Sequence, residues 1–215
     1  MYFYFLTEDE SSKILIEVLM AKVQLQYPDV LYECKSFRGI GGFTKKNTVK
    51  ETKTGKLLND LTTYLKGFDK ALRGIKATAV IVVDNDNRET EVLKEELKEI
   101  VRANGIQLDH IFAIAVEEIE AWLLGDKKAI LEAYPSAKKT VLNAYIQDSI
   151  CGTWELLANA IYPGGLAKMH KDCPTYREKG KKKAEWSKNI GVAMDIQNNL
   201  SPSFNYFIGE VLKRC

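Results

Sequence analysis

The sequence predicts an α/β protein: a doubly wound, mostly parallel four-stranded sheet with a C-terminal helical extension. Three observations carry this. Apolar runs of strand length alternate with longer stretches of helical period through residues 2–126, the pattern of successive β-α-β units. The strand candidates are apolar almost throughout, as strands covered on both faces are. Acidic residues stand just past three of them, at the edge where open α/β sheets hold ligands.

Taken in order, "YFYFL" (2–6) reads as a short buried strand ended by polar residues. "ESSKILIEVLMAKVQLQY" places Ile14, Val18, Leu19 and Val23 at helical spacing and stops before Pro28. "DVLYECKSF" alternates Val30, Tyr32 and Cys34, a second strand. "RGIGGFTKKNTVKETKTG" (38–55) has no clear period and reads as a loop. "KLLNDLTTYLKGFDKAL" is helical by pattern, and "ATAVIVVD" is the clearest strand of the chain. "ETEVLKEELKEIVRANG" is a helix closed by Asn104-Gly105, and "HIFAIAV" is a fourth strand leading into "EEIEAWLLGD".

This assigns 1–126 to the α/β domain and 127–215 to a helical cap packed on it as one structural unit. In the cap, "KKAILEAYPSAKKTVLNAYI", "TWELLANAIY" and "SPSFNYFIGEVLKR" read as helical, with Ser201 as N-cap before Pro202. Between the last two lies "KMHKDCPTYREKGKKKAEWSKN", strongly basic with Tyr176 and Trp186 interleaved.

Composition narrows the class. At 46% hydrophobic and 28% charged, the 215 residues suit an ordinary folded domain. The net charge of +2 does not by itself advertise nucleic-acid binding. Cys34, Cys151, Cys173 and Cys215 form no CxxC pair, which suits a reducing compartment. Cys151, His170 and Cys173 have poor spacing for zinc and no evident fourth ligand. With no leader and no stretch of spanning length, a cytoplasmic protein without membrane partners is expected.

The acidic strand ends carry the chemistry. "VIVVDNDNRE" places Asp84 and Asp86 together at the end of a buried strand, where like charges raise each other's proton affinity unless a cation intervenes. Glu8 follows the first strand, and Glu117, Glu118 and Glu120 follow the fourth. Such an edge suits Mg²⁺ or Mn²⁺, hard cations that take oxygen ligands and leave positions for water and phosphate. Each cluster alone also reads as a turn or an acidic first helical turn. Phosphate needs positive charge, and Lys168, Lys171, Lys179, Lys181, Lys182 and Lys183 are the expected nucleic-acid contacts, with Trp186 stacking on a base. "KETKTGKL" is not a Walker A loop: the first glycine is missing and Leu57 replaces Ser or Thr. His110 reads as structural, and Trp122, Leu123 and Leu124 as core.

"YFLTEDESSKILIEVL" followed by "AVIVVDNDNRE" resembles the TOPRIM pattern, a glutamate ending the first strand and a DxD ending the third. "IAVEEIEAWLLGD" and "SPSF" resemble more narrowly the small stand-alone TOPRIM-like proteins of uncharacterised function related to OLD-type nucleases. The resemblance implies a Rossmann-like sheet and a metal-dependent nuclease acting on nucleic acid, DNA ahead of RNA, with a separate ATPase as partner in bacterial defence or DNA repair. By position it implies Glu8 as ligand or general acid-base, Asp84 and Asp86 as metal ligands, and Glu118 and Glu120 at the same edge, with Glu120 preferred to Glu117. Two positions depart from the pattern. Asp9 stands where many TOPRIM chains have glycine, and Ser12 where OLD-like nucleases carry another acid. The competing expectations are a non-catalytic module that binds nucleic acid or an ATPase, and a metal-dependent phosphatase or phosphoacceptor.

Overall fold

Residues 1–43 and 55–215 are described in the computed structural model. Strand β1 (Tyr2–Thr7) lies at the centre of the sheet and pairs in parallel with β2 (Leu31–Ser36) on one side and β3 (Ala77–Asp84) on the other. Strand β4 (Asp109–Ala115) continues from β3, giving the order β2-β1-β3-β4, all parallel. Thr7, the last residue of β1, pairs with Val82, so β3 runs two residues further to Asp84. The exits of β1, β3 and β4 therefore open on one edge.

The two faces of the sheet pack on separate cores, set by the period-two alternation of side chains along each strand. Leu6, Ile81, Val83, Phe112 and Ile114 pack with Leu57, Leu61 and Leu65 of α2 (Leu57–Ala71) and Leu93 and Leu97 of α3 (Thr90–Ala103). Phe3, Phe5, Val80, Val82 and Ile111 face the other way, onto α1 (Glu10–Gln26) and the C-terminal helices. This is the doubly wound arrangement expected. In α1 the buried stripe is Leu15, Ile16, Leu19, Met20 and Val23, while Ile14 and Val18 are only half-buried.

After α4 (Glu120–Leu124), the stretch expected as one helical run over 127–146 is broken at Pro135. It forms α5 (Lys127–Ala133) and α6 (Lys139–Ala144), because proline disfavours helix in the residue before it. Helices α7 (Thr153–Ile161) and α8 (Gly165–Asp172) follow. The basic segment, given no secondary structure by its composition, becomes the long helix α9 (Tyr176–Ala193), started by a reciprocal capping box between Thr175 and Glu178. Helix α10 (Pro202–Leu212) closes the chain, with Ser201 as N-cap and Pro202 at its first position as expected.

The C-terminal helices share one core with the sheet: Trp122, Trp186, Phe204 and Phe207 cluster with Phe5 and Val80. Trp122 stacks on Phe207 at 4.8 Å and donates its indole N–H to Ser203 Oγ at 3.0 Å. Asp148 accepts from Ser201 Oγ and Ser203 N, both at 2.7 Å, so the "SPSF" stretch docks the last helix. Of the loop expected over 38–55, residues 44–54 lie outside the described residues; its flanks run side by side, with Leu57 N donating to Gly39 O and Leu58 N to Ile40 O. No helix among the described residues is long and apolar enough to cross a membrane.

Gly125 tests how closely the cap is joined to the sheet. A Cβ there would sit 1.9 Å from Asn199 Oδ1 and 2.9 Å from Ser201 N. Gly125→Ala should lower stability by about 2 kcal/mol in urea unfolding. Gly209→Ala, whose Cβ meets nothing within 4 Å, should be neutral or stabilising. Equal midpoints for the two variants would contradict this packing.

Candidate functional site

The acidic edge is held by backbone joints between strand exits. Asn85 is buried directly after Asp84, and its N–H donates to Ala115 O at 3.1 Å. Its side-chain oxygen accepts from Glu117 N at 2.6 Å, while Nδ2 donates to Arg88 O and Thr90 Oγ1. Asp86 N donates to Glu117 O at 3.0 Å. Asp86 and Glu117 both adopt left-handed backbone, φ 50° and 64°, which costs an L-residue roughly 1–2 kcal/mol and persists because these joints impose it. The Glu117 carboxylate caps the start of α7, accepting from the backbone N–H groups of Cys151, Gly152 and Thr153 at 2.8–3.2 Å. Glu117 is thus a structural clip, and it turns the next residues toward the edge.

At the β1 exit, Glu8 Oε2 accepts from Asp84 N at 3.4 Å, which links the two exits. Asp9, which stands where the resembling pattern has glycine, is the N-cap of α1. Its carboxylate accepts from Ser12 N and from the hydroxyls of Ser11 and Ser12 at 2.7–2.8 Å. Both departures from the pattern therefore serve one helix cap.

The electrostatics are those of crowded buried and half-buried acids with one lysine among them in the described residues. Lys183, from α9, lies 3.3 Å from Glu120 Oε2 and 3.5 Å from Glu118 Oε1. Glu120 is wholly buried, and among the described residues neither its Oε1 nor Glu118 Oε2 has a hydrogen-bond partner. Burial, and then the charge of Asp86, pushes Glu8 up to about 7, against backbone hydrogen bonds from Asp84 and Ile40. Burial and Glu8 hold Asp84 well above the usual carboxylate range. Burial and Glu120 push Glu118 up to about 7, and burial raises Glu120 although Lys183 opposes it. Burial alone would lower Lys183, but Glu120, Glu118 and Asp84 outweigh it and keep the ammonium charged. Among the described residues the carboxylates at this edge outnumber the ammonium groups paired with them, an excess of negative charge that protons or another cation must answer.

The expected site residues therefore divide into groups. Glu8 and Asp84 meet at the edge as expected. Glu118 and Glu120 reach the same edge, but Lys183 stands where an ion between them would sit. Asp86 is exposed and lies 3.8 Å from Arg88, whose guanidinium also donates to the Asp84 and Asn85 carbonyls. Among the described residues no group of three or more His, Cys, Asp or Glu is placed to hold a metal ion, so the multi-carboxylate cage is not preassembled and the zinc set is not gathered. The residues still fit a hard cation of the Mg²⁺ type, which commonly takes one or two carboxylates and completes its shell with water and phosphate. Glu8 and Asp84 would supply those carboxylates, and the unpartnered Glu118 and Glu120 oxygens are acceptors of the right kind.

The basic set is corrected in part. Trp186 is 2% exposed inside the core and has no face for a base. It lies three residues after Lys183, so the helical period that sends Lys183 to the acids sends Trp186 under them. Lys183 belongs to the acidic site and not to an outer surface. Lys182 pairs with Glu185 and Lys168 with Asp172; Lys171 and Lys181 are exposed; Lys179 sits over the Trp154 ring. His110 binds the Leu108 carbonyl at the start of β4, and Trp122, Leu123 and Leu124 are core. Cavities of about 610 Å³ (beside Lys22 and Asp195) and 520 Å³ (beside Arg73 and Arg214) contain none of the acidic residues of the site.

Comparison with family models, curated proteins and solved structures finds no match to the chain.

Two expectations follow from the charge imbalance. Lys183→Met should lower stability by about 3 kcal/mol or more near pH 8, because it strands buried carboxylates, and by less near pH 5, where they take up protons. Glu8 and Glu118 have folded values raised from 4.5 to about 7, so between those values the folded state binds more protons than the unfolded chain. Their contribution is greatest below about 4.5 and falls as pH rises through 7. In EDTA, Glu118→Gln should therefore raise the Tm at pH 8 and leave it nearly unchanged at pH 4.5. A lower Tm at pH 8 would contradict the imbalance.

Proposed function

We propose that the acidic edge is the active site of a divalent-cation-dependent enzyme that cleaves phosphodiesters in nucleic acid, DNA ahead of RNA. The observation that carries this reading is the gathering of buried Asp84 and Glu120 with half-buried Glu8 and Glu118 at one edge, where among the described residues only Lys183 pairs with Glu118 and Glu120. Glu8 and Asp84 would hold Mg²⁺ or Mn²⁺ from the exits of β1 and β3. When bound, the ion supplies Lewis acidity toward a phosphoryl oxygen and makes water more acidic.

The chain's own groups would do the rest. Asn85 and Glu117 fix the strand exits, so the carboxylates need little reorganisation. Lys183 Nζ, held at ion-pair distance by Glu118 and Glu120, is a preplaced positive charge for the oxygens that become more negative in the transition state. Glu118 Oε2, buried and without a hydrogen-bond partner among the described residues, would be the oxygen that takes a proton at the rim. Support for a partner ATPase and a defence or repair setting comes from the resemblance alone.

A second reading has its own observation. Lys183 already answers part of the charge of Glu118 and Glu120, and among the described residues no three acids are placed to hold one metal ion. That arrangement also fits a non-catalytic module whose acidic edge is held together by a salt bridge and whose basic surface binds nucleic acid.

The experiment is cleavage of labelled single- and double-stranded DNA and RNA with Mg²⁺, Mn²⁺ or EDTA. The enzyme reading predicts metal-dependent cleavage that Glu8→Gln and Asp84→Asn each reduce at least about a hundredfold without lowering the Tm, a loss of the size seen when one transition-state contact is removed. Asp86→Asn, at the exposed position, should cost much less. No cleavage of any substrate by wild type, with binding retained, would favour the module.

A further inference from the structure

Trp186 is withdrawn into the core, but the basic surface presents another tryptophan. Trp154 lies in the first turn of α7, directly after Thr153, whose N–H is bound by the Glu117 clip. It is half-buried and packs against the core. The His170 ring from α8 stacks on it nearly parallel, 13° between planes and 5.9 Å between centroids. Lys179 from α9 places its ammonium 5.9 Å from the same ring. Three helices thus converge on one pile of aromatic and cationic groups, with His170 itself exposed at its outer side.

The surroundings match a polyanion with flat bases. Tyr176, in the first turn of α9, is 92% exposed and adds a second aromatic ring beside these cations. Lys171, Arg177 and Lys181 are exposed and form no ion pair among the described residues. The nearby acids are engaged: Asp172 with Lys168 and Tyr162, and Glu178 in the capping box. Glu155 is the acid nearest Trp154 in sequence, and its charge acts on Glu118. Lys179 and Lys183 are four residues apart on α9, so they share a face, separated by about 6 Å along the axis. The pile therefore stands one helical turn from the ammonium that faces the acids.

We infer that Trp154, His170 and Lys179 form a nucleobase platform that takes an unstacked base of a single-stranded nucleic acid next to the phosphodiester at the acidic edge. The inference rests on nucleic acid being the substrate class proposed above. A base laid on the outer face of His170 continues the existing stack, while Lys179 and the unpaired cations meet the flanking phosphates. Base-aromatic stacking tolerates any base, so the platform confers strand selection with little sequence preference. A duplex keeps its bases paired and offers the ring no free face.

The test is binding of a fluorescent oligothymidylate to the full chain in EDTA, where neither metal nor cleavage enters. Wild type should bind with steep salt dependence and quench tryptophan fluorescence, and duplex of equal length should bind more weakly. Trp154→Ala should weaken binding by about tenfold. Because that change also touches the core, His170→Ala combined with Lys179→Gln, one exposed and one half-buried and neither in the core, should weaken it by a similar factor with an unchanged Tm. Lys70→Gln, on α2 across the sheet, should have no effect. Wild-type affinity in the double variant overturns the platform, and so does a mononucleotide that binds as tightly as the oligomer. Binding that follows these expectations without metal-dependent cleavage would refute the enzyme reading alone. Cleavage with an indifferent double variant would refute the platform alone.

Discussion

The constraint on which the rest of this structure depends is an imbalance of buried charge. Three parallel strands deliver Glu8, Asp84, Glu118 and Glu120 to one edge, and among the described residues one ammonium, Lys183, pairs with two of them. An isolated carboxylate withdrawn from water is costly, and the cost is avoided by pairing, protonation or metal binding. Here pairing is incomplete. The carboxyl groups are accordingly displaced upward, with Glu8 and Glu118 close to neutral pH. Apolar packing in place of such a set is often as stable or more so. Retaining it is the physical reason to look for function at this edge.

The C-terminal half has a direct part in that site. Lys183 and Trp186 lie on one face of α9, the first reaching the acids and the second anchoring the helix in the core that Phe5 and Phe207 share. Glu117 joins the fourth strand to α7, and α7 carries Trp154 toward α8 and α9. The cap therefore completes both the charge pattern of the edge and the aromatic surface beside it. The cap is continuous with the sheet in packing, and the close approach at Gly125 shows how little room separates them.

Much of this was legible in the sequence because it depends on short-range pattern. The strand "ATAVIVVD" is β3 to the residue, and the acids that follow the strands do share an edge, since parallel topology puts all carboxyl ends together. The basic segment was not legible as a helix, since its lysines hide the stripe formed by Lys179, Lys183, Trp186 and Ile190. The local signal was present in Thr175 and Glu178, a capping box at the right spacing. The roles of Asn85 and Glu117 had no such signal. Their hydrogen bonds join residues about thirty positions apart, and either residue alone reads as part of a polar turn. The role of Lys183 was hidden for the same reason: five neighbouring lysines share its composition, and only tertiary packing singles it out.

The most direct test of the charge account is calorimetric titration of the protein with Mn²⁺ at pH 6.5 in two buffers of different ionisation enthalpy. If the carboxyl groups near neutrality hold protons that a divalent ion displaces, binding should release on the order of one proton, and Asp84→Asn should weaken it strongly. No Mn²⁺ uptake, or uptake without proton release and indifferent to Asp84→Asn, would contradict the account.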